Sequence, residues 1–399
     1  MSNLNSAPRS VRLHIGLFGT RNSGKSTLLN AITGHSTSVV SPVAGTTTDP
    51  VYKAIELYGI GPCVLIDTAG FDDEGDLGNL RIGKTEDAFK KTDVAILLFP
   101  VDSKDHSKEF KWAEKIIANK KPLLAVISKS DLDVDVEPLI KKIKDTLKLD
   151  ALVVSSSDKN TQHSIREAII RLQPERDGKK SIVEGLVEEG DVVMLVMPQQ
   201  INAPQGRLIL PQVQTTRDLL DHKCIIISVT ADEMEDGLSH LKEAPKLIIT
   251  DSQVFPYVYE RKPLESRLTS FSVLMAGVKG DIEEFARGAS AIEHLKPTSK
   301  VLIAEACTHA PLAEDIGRVQ IPRLLRQKIS AELQIDMVSG TDFPDDLSAY
   351  DLVIHCAGCM FNRSYLMSRL KEAKSQSIPM TNYGITLAQL SGILDKIEL

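Results

Sequence analysis

The stretch GTRNSGKS at positions 19–26 constrains this chain more than any other eight residues. It follows the apolar run RLHIGLF and opens the segment KSTLLNAIT, which Gly34 ends. A G-x-x-x-x-G-K-S sequence between a strand and a helix is a phosphate-binding loop. Gly19 and Gly24 permit the tight backbone that aims N–H groups at phosphate oxygens. Lys25 supplies a point charge to the β- and γ-phosphates, and Ser26 supplies a Mg²⁺ ligand. Asn22, Ser23 and Thr27 complete the phosphate-facing set, and the helix N-terminus adds its positive dipole.

Further motifs follow in a fixed order. VAGTTTDP (43–50) has the polar, threonine-rich character of a loop that closes on Mg²⁺ and a γ-phosphate, with Thr47 the first choice for the metal and Thr46 or Thr48 the alternatives. PCVLIDTAG (62–70) is an apolar strand that ends on Asp67, suited to the metal's water shell, and Gly70, whose N–H faces the γ-phosphate. PLLAVISKSD (122–131) ends on Lys129 and on Asp131, whose carboxylate matches the N1–H and 2-amino group of guanine. ALVVSSS (151–157) ends on a loop, Ser155 and Ser156, that can contact guanine O6. Each motif sits at the carboxyl end of a strand, where doubly wound sheets bind ligands.

This order resembles the Ras-like GTPases, in particular a G domain of the translation-factor type, over the first 173 or so residues. The resemblance implies GTP and GDP binding with Mg²⁺, and slow hydrolysis of GTP to GDP and phosphate. There are two departures. Ser128 stands where the usual Asn-Lys-x-Asp has asparagine, which predicts weaker bracing of the loop. Phe71 stands where Ras-type proteins carry a water-orienting glutamine. Asn22 matches the asparagine that ligates K⁺ in tRNA-modifying GTPases, and such a cation supplies charge otherwise given by an arginine finger. Lys25, Asn22 and Thr47 are therefore the expected catalytic set, with K⁺ stimulation.

At 399 residues the chain is too long for one ordinary core. Apolar runs alternate with amphipathic stretches throughout, which is the pattern of α/β parallel sheets with helical crossovers. Polar breaks at PERDGKKS (174–181) and ERKPLES (260–266) suggest three α/β units: 1–174, 182–263 and 266–399. The middle unit is so small, and its strands so apolar, that its sheet is expected to pair with another, most simply in a homodimer. A net charge of −7 with no basic stripe argues against nucleic acid as a partner. The N-terminus has no secretory h-region and no apolar run spans a membrane, so a cytoplasmic location is expected.

Five cysteines in a reducing compartment speak for thiols or metal ligands. Cys63 and Cys224 lie in apolar strands and read as core. KVLIAEACTHAP (300–311) is a strand running into Cys307 and His309, and DLVIHCAGC (351–359) is one running into His355, Cys356 and Cys359. Both end on one edge of a parallel sheet, and Gly358 lets the backbone turn between the last two thiols. A structural Cys₃His zinc site, a redox dithiol and inert buried thiols are all chemically open. A 4Fe–4S cluster is the remaining choice: soft thiolates suit it, and three cysteines leave one iron for another ligand. His355 and His309 are possible further ligands, and Glu305 is a weaker one.

The combination of Asn22, a short middle domain, C-x-H, H-C-x-x-C and the stretches APQGRLILPQVQ, DIGRVQIPRLL and IPMTNYG resembles the HydF family of FeFe-hydrogenase maturation GTPases along nearly the whole chain. That resemblance implies a scaffold holding a 4Fe–4S cluster through Cys307, Cys356 and Cys359. It also implies a homodimer and a transient 2Fe precursor, made with radical-SAM maturation enzymes and delivered to apo FeFe-hydrogenase. The rival reading is an RNA-modification or ribosome-assembly GTPase with a metal-binding appendage, which the acidic balance opposes.

Overall fold

A computed structural model describes residues 9–33, 50–71, 76–155, 160–172, 181–198, 208–306, 315–358 and 360–399. They fall into two compact units, Met1–Gly178 and Lys179–Leu399.

The first unit is built on β1 (Leu13–Phe18), β2 (Val51–Leu57), β3 (Gly61–Asp67), β4 (Val94–Pro100), β5 (Leu123–Ser128) and β6 (Leu152–Val153). Their spatial order is β2-β3-β1-β4-β5-β6, with β2 antiparallel to β3 and the other pairings parallel. Every residue of β4, VAILLFP, is buried, as a strand covered by helices on both faces requires. The edge strand β2, VYKAIEL, is exposed or half-buried over most of its length.

Residues alternate between the two faces of the sheet. Ile15 and Leu17 pack with α1 (Lys25–Thr33) and α5 (Thr161–Leu172). Phe18 faces the other way, toward α2 (Asp76–Lys91), α3 (Ser107–Ala118) and α4 (Glu137–Leu147). Because β1 lies between β3 and β4, the chain reverses its direction of winding there. The crevice beyond the carboxyl ends of these strands is the natural ligand site.

The second unit holds two four-stranded parallel sheets. The first has β7 (Val192–Val196), β8 (Ile225–Val229), β9 (Leu247–Thr250) and β10 (Arg267–Ser270) in the order β10-β9-β7-β8. The second has β11 (Lys300–Glu305), β12 (Gln334–Ser339), β13 (Leu352–His355) and β14 (Met380–Asn382) in the order β12-β11-β13-β14. Around the first lie α6 (Leu210–Asp221), α7 (Met234–Ser239), α8 (Phe255–Arg261) and α9 (Phe271–Lys279), whereas α10 (Ile282–Ser290) packs against β14 of the second. The second carries α11 (Ile321–Lys328), α12 (Arg363–Ser375) and α13 (Tyr383–Leu390).

One core joins the two sheets, with Met194, Ile248 and Phe255 from the first side, Leu302, Val353 and Leu366 from the second, and Phe285 of α10 between. The sequence reading drew a boundary at 263–266, yet β10 lies beyond it and pairs with β9. RLTS is only one turn of alternation long and follows Pro263, so it carries no pattern by which to recognise a strand.

The outer edge of β10 is covered by the chain's last residues: Glu398 N donates to Leu268 O (2.8 Å), and Thr269 Oγ1 donates to Glu398 O (2.8 Å). The opposite edge, β8, has Ile225 56% exposed. No described helix is long and apolar enough to cross a membrane.

Candidate functional site

In the first unit the phosphate-binding loop joins β1 to α1. Asn22 has φ +59° and Gly24 φ +94°, both in the left-handed region that asparagine and glycine tolerate best. A Cβ at Gly19 would stand 2.5 Å from Ser23 Oγ, so only glycine fits there. Lys25 is buried, and its Nζ donates to Gly19 O (3.0 Å), Thr20 O (2.7 Å) and Ser23 Oγ (3.4 Å). The ammonium thus sits inside the curve of the loop that phosphates are expected to fill.

Ser26 Oγ donates to Asp67 Oδ2 at 2.7 Å, bringing the two expected Mg²⁺ residues together. Asp67 Oδ1 is buried with no hydrogen-bond partner. Burial pushes the Asp67 carboxyl above its ordinary range, against the opposing effects of Ser26 and Lys25. A carboxylate held out of water with one oxygen unused fits a site for a hard divalent cation and its water shell.

Ser128 keeps a brace on the loop without the carboxamide. Its Oγ donates to Ser23 O at 2.7 Å, so a hydroxyl ties the end of β5 to the phosphate loop. Lys129, with φ +61°, pairs with Asp102 at 2.6 Å, and Asp131 accepts from Ser155 Oγ at 3.1 Å. The structure thus brings together Ser155 and Asp131, the two residues expected to contact the base. Ser156 and Thr47 lie outside the described residues, while Thr27 is exposed on the first turn of α1.

Sequence reasoning missed a second brace. Thr20 Oγ1 donates to Glu109 Oε1 (2.7 Å), a carboxylate only 1% exposed on α3. Phe71, after the buried Gly70, is held against the Trp112 ring at 5.1 Å, and Trp112 stacks in turn on Phe18 at 5.6 Å. That side chain fills an aromatic cluster, not a water-orienting position.

In the second unit, β11 and β13 are neighbours with Ala304 opposite His355, and both end on the same edge. Cys356 N donates to Ala304 O at 3.0 Å. Cys356 Sγ accepts two backbone N–H groups, from Ala306 at 3.1 Å and from Gly358 at 3.4 Å. Ala306 immediately precedes Cys307, and Gly358 immediately precedes Cys359. The residues that lead into both other cysteines therefore meet at the Cys356 sulfur. Cys307, His309 and Cys359 lie outside the described residues. Among the described residues no group of three His, Cys, Asp or Glu side chains forms a metal position.

His355, a possible ligand by sequence, is engaged at both ring nitrogens. Arg369 Nη1 lies 2.9 Å from its Nε2, and Cys356 O lies 2.7 Å from its Nδ1. Arginine can only donate, so Nε2 accepts and Nδ1–H donates to the carbonyl. Burial, reinforced by the Arg369 charge, holds the imidazole down to about 3. Glu305, the weaker candidate, is likewise engaged: Arg318 Nε donates to its Oε2 (3.0 Å), and the Tyr383 hydroxyl donates to its Oε1 (3.3 Å).

Two basic side chains that sequence spacing did not single out stand beside the cysteine turn. Buried Lys279, the last residue of α9, donates to Gly358 O (3.1 Å) and Phe361 O (2.8 Å). Gly358 itself has φ +64°, which explains the need for glycine there. Arg369 reaches the site from α12, whose start is capped by the Asn362 side chain accepting from Tyr365 N. Cys63 and Cys224 are buried, and burial pushes the Cys224 thiol up.

Comparison with known proteins gives three family matches: a hydrogen maturase F dimerization domain over residues 182–280, a hydrogen maturase F tetramerization domain over 283–398, and a 50S ribosome-binding GTPase over 14–129. The first two together cover more than half of the chain. Curated relatives include the tRNA modification GTPase MnmE of Paraburkholderia xenovorans, 30% identical over 171 residues, 43% of this chain and 36% of that protein. GTPase Der of Chloroflexus aggregans is 37% identical over 123 residues, 30% of this chain and 27% of that protein. The chain thus spans only 27% and 36% of these relatives' own length. A solved structure, Era of Aquifex aeolicus bound to GDP·AlF₄⁻, is 18% identical over 62% of this chain and 97% of that one, with a TM-score of 0.37.

Proposed function

Because the chain belongs to the hydrogen maturase F family, we propose that it is a GTP-hydrolysing carrier of hydrogenase maturation. On this reading it holds a 4Fe–4S cluster and delivers a 2Fe precursor to apo FeFe-hydrogenase. The single observation that supports the cluster most is the Cys356 sulfur accepting N–H bonds from the two residues that lead into Cys307 and Cys359. Those three thiolates would hold the cluster, which supplies a low-potential iron centre with one coordination position to spare. Cargo bound there can be released, as a carrier requires.

In the G domain, Lys25 and the loop N–H groups hold the β- and γ-phosphates. Ser26, Thr47 and Asp67 serve Mg²⁺, and Asp131 with Ser155 selects guanine. Water attacks the γ-phosphorus, the bond to the β-phosphate oxygen breaks, and GDP and phosphate leave. With Phe71 buried against Trp112, no side chain at that position orients the water. Asn22 would hold a K⁺ ion, which would supply the electrostatic part of that role. GTP turnover then times exchange of the partners, the radical-SAM maturation enzymes and the hydrogenase. The molecule works as a homodimer in the cytoplasm.

Anaerobic reconstitution tests the cluster. The protein is expected to take up about four irons per chain and give a reduced 4Fe–4S EPR signal. Serine at Cys307, Cys356 or Cys359 removes most of that iron, whereas Cys63→Ser and Cys224→Ser leave it. Saturation by zinc with no uptake of iron contradicts the proposal.

A further inference from the structure

Among the described residues, Arg369 is a buried cation without an anion. It is 3% exposed, and no carboxylate lies within ion-pair distance of it among the described residues. Its Nη1 is committed to His355, its Nη2 donates to Gly340 O and to the Tyr365 hydroxyl (3.4 Å), and its Nε is buried with no partner. The guanidinium lies over three rings, Phe343 and Phe361 at 4.7 Å each and Tyr365 at 4.9 Å. Aromatic faces and carbonyls stabilise such a cation in part, but a buried guanidinium ordinarily has a carboxylate as well. The missing negative charge is most simply sought next to it.

The hydrogen bonds point the way. Arg369 donates to His355 Nε2, and His355 Nδ1–H donates to Cys356 O. The ring of Phe361 bridges the same parts, edge-on to Tyr365 at 4.6 Å and 6.2 Å from the His355 ring. A rigid chain of contacts therefore runs from the cation to the backbone of the residue whose sulfur accepts two N–H groups.

We propose that Arg369 is the positioning and charge-balancing residue for an anionic metal–thiolate centre at Cys356, acting through His355. This rests on the cluster reading given above. A fixed positive charge beside a cluster stabilises its reduced, more negative state, and so raises the reduction potential. Bonding through His355 also fixes the direction of the Cys356 carbonyl and, with it, the turn that presents the sulfur.

The test is an EPR-monitored redox titration of anaerobically reconstituted full-length protein, unmodified and as Arg369→Lys, Arg369→Gln and Arg369→Met. Methionine keeps the apolar stem within the ring cage. Neutral variants are expected to lower the midpoint so that the reduced fraction at fixed poise falls about tenfold, close to 59 mV for one electron. Arg369→Lys, which keeps the charge, is expected to stay within a third of that shift. A folded, iron-loaded neutral variant with an unchanged midpoint overturns the proposal. If neither neutral variant folds, Arg369→Lys decides alone, and a tenfold change in it overturns the charge role. Failure of the unmodified protein to bind iron refutes the underlying cluster reading instead, so the two failures are told apart.

Discussion

Single hydrogen bonds carry much of the nucleotide site. The Ser128 hydroxyl ties β5 to the phosphate loop across 105 residues of sequence. Ser128→Ala is expected to lose about 1 kcal/mol of G-domain stability, as for a typical buried hydrogen bond, and to weaken GTP and GDP binding about fivefold. Thermal melts and titration calorimetry measure both, and unchanged affinity shows that the brace does not shape the site. A second residue sets a pH dependence. Burial holds the His106 imidazole below its ordinary value; Glu109 and Asp105 oppose this and Lys142 of α4 adds to it. A histidine kept neutral in the fold but protonated in the unfolded chain contributes stability above about pH 6.5. That contribution declines as pH falls from there toward the lower folded value. His106→Phe, which keeps the stack on Phe99 (5.9 Å), should flatten unfolding free energy between about pH 7 and pH 5. A slope equal to that of the unmodified protein assigns the acid loss to other groups. Motif residues such as Lys25, Ser26 and Asp67 were legible because their chemistry follows from local spacing. The bonding of Ser128, His355 and Arg369 was not, since each depends on a partner that only the folded chain brings near.

At the scale of elements, sheet edges matter most. Glu398 closes the β10 side, whereas β8 leaves Ile225 56% exposed at the other side of the same sheet. Leu220 and Val213 of the adjoining α6 are exposed as well. An open apolar edge is a template for a second strand, and pairing two β8 strands about a two-fold axis would continue the sheet. Ile225→Lys is then expected to raise the dimer dissociation constant at least a hundredfold, because one buried isoleucine per chain, about 1.5–3 kcal/mol, is lost twice. Light scattering at micromolar concentration reads the change in mass. A dimer that persists with unchanged affinity places the interface elsewhere. The apolar runs of β4, β7 and β9 made their strands easy to foresee. β10 escaped because four residues after a proline look like a linker, and only pairing with β9 makes them a strand.

For the whole molecule, a GTPase unit and a cysteine-bearing unit are joined in one family architecture, and each unit has its own test. In the first, Asn22→Ala is expected to remove the excess of GTP turnover in K⁺ over Na⁺, about tenfold or more by analogy with a lost transition-state charge, while leaving a basal rate. Lys25→Ala removes turnover in both salts. Equal rates in K⁺ and Na⁺ for the unmodified protein contradict the cation role and spare the GTPase. In the second unit, the shared edge of β11 and β13 was foreseeable from two apolar strands running toward cysteines. The buried cations around it were not, because lysine and arginine on amphipathic helices read as solvent-facing. The account as a whole turns on delivery. Protein loaded in the presence of the radical-SAM maturation enzymes, then repurified and mixed with apo FeFe-hydrogenase, should restore hydrogen evolution, and Cys356→Ser carried through the same steps should restore none. Full activation by Cys356→Ser, or no activation by loaded unmodified protein, would contradict it.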